Sequence, residues 1–166
     1  PRNEKNALMI PDSIFPATVM VLDDVLALHT RHRPDAPALH FEGSCFDYGK
    51  LSRRRARAAA RRWHGWGVRA GDRVAWLGQN HPDQITLLFA LASIGAVLVP
   101  LNFRLAPGEW QAVLADCTPR CLLHDAAWAD AAGSLGRATG LPVHGIDSLI
   151  ATHAPGDAPA LATPDS

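Results

Sequence analysis

The sequence predicts an α/β fold, a mostly parallel sheet with covering helices, and three observations predict it. Arg73 to Leu77 and Val97 to Leu101 are short β-prone apolar runs, the first after the turn signal Val68-Arg69-Ala70-Gly71-Asp72 and the second after Gly95. Between them, Pro82 to Ile94 is apolar nearly all round, because Ile85, Leu87, Leu88, Phe89, Leu91 and Ile94 cannot share one face at 3.6 residues per turn. A buried helix joining two strands so close in sequence gives a right-handed βαβ unit and therefore a parallel pair.

The central helix has its own start and stop. Asn80 is placed to accept from the backbone N–H three residues on, Pro82 lacks an N–H that the first turn leaves unpaired, and Asp83 suits the positive end of the helix. Gly95 supplies a left-handed stop. Leu88 is expected to be fully buried.

Residues 1–18, with prolines at both ends and no period, read as an irregular arm anchored by Met9, Ile10, Ile14 and Phe15. Val19 to His32 carries a helical stripe, Val21, Leu22, Val25, Leu26 and Leu28, and ends before Pro34. Ala38 to Phe41 and Cys45 to Asp47 flank Glu42-Gly43-Ser44 as a hairpin, too short to stand alone, at the sheet's edge. Tyr48 to Trp66 is a helix closed by Gly67, with Arg53, Arg54, Arg57 and Arg61 on the side opposite Leu51, Ala59, Trp63 and Trp66. Arg55 and Arg62 fall inside the apolar stripe, which calls for snorkelling stems or pairing with a carboxylate such as Asp72 or Asp116.

Beyond the central unit, Asn102 to Leu105 forms a loop and Pro107 to Cys117 a helix with Trp110, Val113 and Leu114 inward. Arg120 to His124 is a third core strand and Val143 to Ile146 a fourth. Trp128 to Leu135 reads as a weaker helix or loop. From Ala154 the composition is that of a loop.

Composition narrows the function classes. The chain has 166 residues, 48% of them apolar, and zero formal net charge, which suits one soluble α/β unit and gives no electrostatic reason for a nucleic-acid or anionic-membrane partner. The arginine-rich helix reads as a solvated face, not a phosphate-backbone footprint. Thr86, Ser93, Gly95 and Pro100 interrupt the longest apolar stretch, so no membrane span is expected, and no secretory signal is read. Three cysteines argue against a disulfide framework and for a reducing, cytoplasmic setting. Cys117, Cys121 and His124 invite a metal reading, but a closed site needs a fourth ligand, and His29 and His32, one turn apart, have no third partner on their face; no metal site is expected. No serine or cysteine has an evident histidine partner for nucleophilic catalysis.

The stretches GVRAGDRVAWLGQN, LASIGAVLVPLNFRL and EWQAVLADCTPRCLLHD follow in the order seen in adenylate-forming enzymes, with PDAPALHFEGSCFDYGKL before them. Over residues 20–125 the chain resembles the N-terminal portion of an AMP-forming acyl-CoA synthetase, a superfamily that also includes peptide-synthetase adenylation domains and luciferases. The resemblance implies a truncated N-terminal subdomain of that fold: an arm at 1–18, the α/β subdomain at 19–153, and a loop at 154–166 leading toward the phosphate-binding segment. It implies an acid–thiol ligase that joins a small carboxylic acid to ATP with Mg²⁺ and passes the acyl group to coenzyme A. Family members cradle the phosphates with a lysine-bearing Ser/Thr/Gly-rich loop and supply a second lysine from a C-terminal lid. Here the only lysines are Lys5 and Lys50, and Gly65 to Gly71 precedes a strand, whereas phosphate loops follow one. No catalytic residue is therefore assigned, and the chain alone is expected to be inactive, with an exposed apolar surface suited to self-association or to pairing with the remainder of the enzyme.

The family places coenzyme A nucleotide contacts near the loop at Arg104, which makes that guanidinium the one candidate binding residue. The alternative is a stand-alone Rossmann-like nucleotide-binding or protein-interaction module. LGQNHP after the first strand is not its glycine fingerprint, although Asn102 or Asp125 is available to hold a ribose.

Overall fold

The computed structural model describes residues 22–61, 63 and 65–147. The arm at 1–18, the start of the first helix at Val19, the loop at 154–166, Arg62 and the side chains of Arg55, Arg57, Ala59 and Arg61 lie outside what is described. The elements in order are α1 (Leu22–His32), β1 (Pro37–Phe41), β2 (Ser44–Asp47), α2 (Tyr48–Arg61), β3 (Arg73–Leu77), α3 (Pro82–Ser93), β4 (Val97–Leu101), α4 (Pro107–Cys117), β5 (Cys121–His124), α5 (Ala129–Thr139) and β6 (Val143–Gly145).

β3, β4, β5 and β6 form one sheet in the order β4-β3-β5-β6, every pair parallel, as the strand–helix alternation requires. β1 and β2 pair antiparallel as a separate hairpin. Its turn puts Glu42 and Gly43 at positive φ, and the glycine tolerates this at no steric cost.

Side-chain alternation along β3 sorts the core into two layers. Val74 and Trp76 point to one face, where Leu87 and Leu91 of α3, Trp63, Val68, Cys121, Leu123 and Ile146 meet them. Ala75 and Leu77 point to the other, against Trp110 and Leu114 of α4, Ala132 and Leu135 of α5, and Leu101 and Leu122. The sheet is thus covered on both faces, and β3 and β5 are near-continuous apolar runs, as strands buried twice must be.

Several expectations change at this level. Leu88 is half-buried, not fully: it lines an open cleft with Leu39, Ile85 and Leu98, a strip of α3 that no described residue covers. Thr86 is buried in that helix, its hydroxyl donating to Pro82 O at 3.0 Å. The N-cap is His81, not Asn80, because His81 takes the extended backbone and its Nδ1 accepts from Asp83 N at 3.2 Å. Arg54 does not lie on a free solvated face; its guanidinium pairs with Asp83. α2 ends at Arg61, and Gly67 (φ 71°) closes the turn after it, where Val68 N donates to Trp63 O at 2.8 Å. The region read as a weak helix or loop is α5, eleven residues long, stopped by Gly140 in the left-handed region (φ 72°).

Candidate functional site

In a parallel sheet the strand ends that meet loops first are the carboxyl ends, and a crevice opens where neighbouring strands send their helices to opposite faces. Here that place lies between β3 and β5, since α3 covers one face and α5 the other. A crevice of about 390 Å³ opens there, lined by Gln79, Asn80 and His81 after β3, Asp125 and Ala126 after β5, and Ile146 after β6.

Its floor is tightly built. Asp125 Oδ2 accepts from Gln79 N at 3.0 Å, fastening the two loops together. Gly78 makes this possible: a Cβ there would sit 2.5 Å from Trp76 Cζ2 and 2.6 Å from Asp125 Oδ2. Asp125 Oδ1 is buried without a hydrogen-bond partner among the described residues. The chemistry of this crevice does not suit a triphosphate. The amide of Gln79 is already committed to Asp125 and that of Asp83 to His81, while Glu42, Asp125 and Asp147 place carboxylates on the lining. Asp125 and Asn102, the two residues available to a ribose, each spend one side-chain oxygen on a backbone amide.

A second loop, after β4, presents Arg104. Asn102 Oδ1 accepts from Arg104 N at 3.0 Å, and Asn102 O accepts both Leu105 N at 3.1 Å and Trp110 Nε1 at 2.9 Å. Arg104 is exposed, with its Cζ 5.3 Å from the centre of the Phe103 ring. Phe103 rests on Trp128 with ring centres 5.8 Å apart, and Trp128 meets Trp110 edge-on at 5.9 Å. A planar guanidinium offered to solvent from a braced loop is equipped to grip a phosphate through paired N–H donors.

The remaining candidates are held in other ways. Cys121 is buried, and burial pushes its thiol up to about 11; burial also raises the Cys117 thiol, whose carbonyl accepts from Arg73 Nε. His124 Nδ1 lies 2.7 Å from Asp125 O. His29 packs on Tyr48, and its Nδ1 accepts from Arg33 Nε at 3.1 Å. Among the described residues no group of three or more His, Cys, Asp or Glu side chains is arranged to hold a metal ion. Sequence reasoning missed the Gly78–Asp125 clamp and the Phe103–Trp128–Trp110 cluster. The clamp joins residues far apart in the chain, though a glycine directly after a buried strand was a signal for close approach.

The model of the family "AMP-binding enzyme" matches residues 26–162. A feruloyl-CoA synthase from Amycolatopsis sp is 42% identical over 120 residues, which are 71% of this chain and 24% of that protein. An indoleacetate–CoA ligase from Aromatoleum aromaticum is 36% identical over 103 residues, 62% of this chain and 20% of that one. Among solved structures, a protein of Rhodopseudomonas palustris assigned as a long-chain-fatty-acid CoA ligase superposes with a TM-score of 0.72 at 28% identity, covering 86% of this chain and 39% of its own. The chain thus spans about a quarter of the length of the first of these relatives. Its doubly covered parallel sheet is that of the N-terminal subdomain of adenylate-forming ligases, and the chain belongs to the AMP-binding enzyme family.

Proposed function

We propose that this chain is the N-terminal portion of an ATP-dependent acid–CoA ligase, with the α/β subdomain at residues 19–153 flanked by an arm and by a loop leading toward the phosphate-binding segment. The ligase activates a small carboxylic acid as its adenylate, with Mg²⁺ on the ATP, and then transfers the acyl group to the thiol of coenzyme A. The chain supplies scaffold and one contact; the groups that cradle ATP and catalyse transfer lie elsewhere in the enzyme.

Arg104 carries this reading: an exposed guanidinium, on a loop braced at the carboxyl end of a core strand, takes a phosphate of coenzyme A. It binds and orients the thiol substrate and moves no proton. In the full-length ligase Arg104→Ala raises the KM for coenzyme A and leaves adenylation, read as acid-dependent exchange of pyrophosphate into ATP, nearly intact. Equal losses in both half-reactions assign Arg104 to the fold instead.

The 166-residue chain alone neither catalyses that exchange nor binds ATP–Mg²⁺ at physiological salt, in keeping with the carboxylate-lined crevice. Micromolar, base-specific ATP binding by the chain overturns this part. The cleft of about 530 Å³ lined by Leu39, Phe41, Ile85, Leu88 and Leu98 supports pairing with the remainder of the enzyme, or with a second copy when that is missing. All three cysteines are free, which supports a reducing, cytoplasmic setting for an enzyme of carboxylic-acid, including fatty-acid, metabolism, and no described helix is long and apolar enough to cross a membrane.

A further inference from the structure

We infer that Trp110 is a positioning residue for Arg104, an assignment that rests on the proposed grip of Arg104 on a coenzyme A phosphate. A long exposed side chain discriminates between ligands only if its backbone is held still, because a loose loop spends binding energy on ordering itself. Among the described residues no ion pair fixes the Arg104 side chain, which lies over the Phe103 ring of its own loop, so its placement falls to the loop beneath it.

The loop hangs from one carbonyl. Asn102 O receives the indole N–H of Trp110 at 2.9 Å and the amide of Leu105 at 3.1 Å, so a side chain of α4 grips the same oxygen that closes the turn. The Asn102 side chain then fixes Arg104 N at 3.0 Å. Trp110 is anchored in turn, 5% exposed within the layer of Leu101, Leu114, Leu122 and Leu135. Its ring also meets Trp128, which carries Phe103, the ring under the guanidinium. Trp110 therefore holds the loop twice, through its N–H and through its edge. A helix position whose inward duty is only packing would be served as well by leucine; the indole N–H is the part that packing does not require.

The test uses the full-length ligase and compares KM for coenzyme A with KM for pantetheine, a thiol acceptor that carries no phosphate. Arg104→Ala should erase most of the preference for coenzyme A. Trp110→Phe keeps an aromatic ring, removes the N–H, and should reduce the preference about five-fold, the worth of one ordinary hydrogen bond, with pyrophosphate exchange unchanged. Leu135→Ala, in the same core layer but not in the loop, should lower the melting temperature and leave the preference alone. If Arg104→Ala leaves the preference intact, the reading of Arg104 falls and this inference with it. If Arg104→Ala erases it and Trp110→Phe does not change it, only the positioning role falls. Equal erosion by Leu135→Ala reduces Trp110 to a matter of stability and overturns the assignment.

Discussion

Arg54 on α2 and Asp83 in the first turn of α3 form an ion pair between residues 29 apart in the chain, joining two helices on the same face of the sheet. Asp83 is buried and also lies 3.1 Å from His81 Nδ1, while Arg54 sits over the Phe46 ring. Among the described residues, removing the guanidinium leaves a buried carboxylate with the helix end and an imidazole for company. Arg54→Ala should cost about 2–3 kcal/mol, as expected for a lost charged hydrogen bond at a poorly solvated site. Arg53→Ala, an exposed neighbour, should stay within about 0.5 kcal/mol. Urea unfolding of the two variants makes the comparison, and equal losses would show that helix composition, not the pair, is responsible.

Burial along α3 separates adjacent leucines. Leu87 is wholly inaccessible, and Leu87→Ala should lower stability by about 2–5 kcal/mol. Leu88 borders an open cleft, so Leu88→Ala, which leaves no sealed void, should cost about half as much. The reverse order in denaturant midpoints would mean that the cleft is filled in solution.

Gly78→Ala tests the clamp at the carboxyl end of β3. The new methyl would meet both Trp76 and Asp125 well inside van der Waals distance. Overpacking of this kind should destabilise by about 1–3 kcal/mol. It should also push the Gln79–Asp125 bond apart, visible as faster hydrogen exchange at the Gln79 amide.

Cys121 gives a pH signature. Its thiol is raised from 9.0 to about 11 by burial, so the folded chain favours the protonated form more than the unfolded chain does. A raised folded-state value means that this contribution is fully present below about pH 9 and is lost as pH climbs toward 11. Every pH unit separating the folded from the unfolded value is worth about 1.4 kcal/mol, which sets the scale of the loss. Denaturant unfolding at pH 8 and pH 10.5 should show a smaller drop for Cys121→Ala than for the parent chain. Identical drops would assign the alkaline instability to other groups.

Legibility in the sequence tracks how local the cause is. β3, β4 and α4 begin and end where their apolar runs, prolines and glycines put them, because each signal acts within a few residues. For Arg54 the sequence indicates the correct helix but the wrong surroundings: a helical wheel shows which side a residue occupies, not which neighbouring helix meets it. Leu88 misleads for a related reason, since an all-round apolar helix is fully covered only when something lies on every side. α5 is under-read because alanine and glycine give little amphipathic contrast, although Ala132 and Leu135 pack inward. At the candidate site, Arg104 is legible as a loop residue after a strand. The support beneath it is not, because Trp110 and Trp128 act across the turn through ring contacts that no short motif encodes.

Pro100 hinders growth of the sheet at its β4 edge. It stands in β4, an edge strand, with Trp76 of β3 as its register partner, and a proline has no amide hydrogen to offer any strand that adds alongside. An incoming segment would therefore find an interrupted ladder along β4. Polymerisation through this sheet is handicapped at one end, so head-to-tail stacking of identical chains lacks one of the two surfaces it needs.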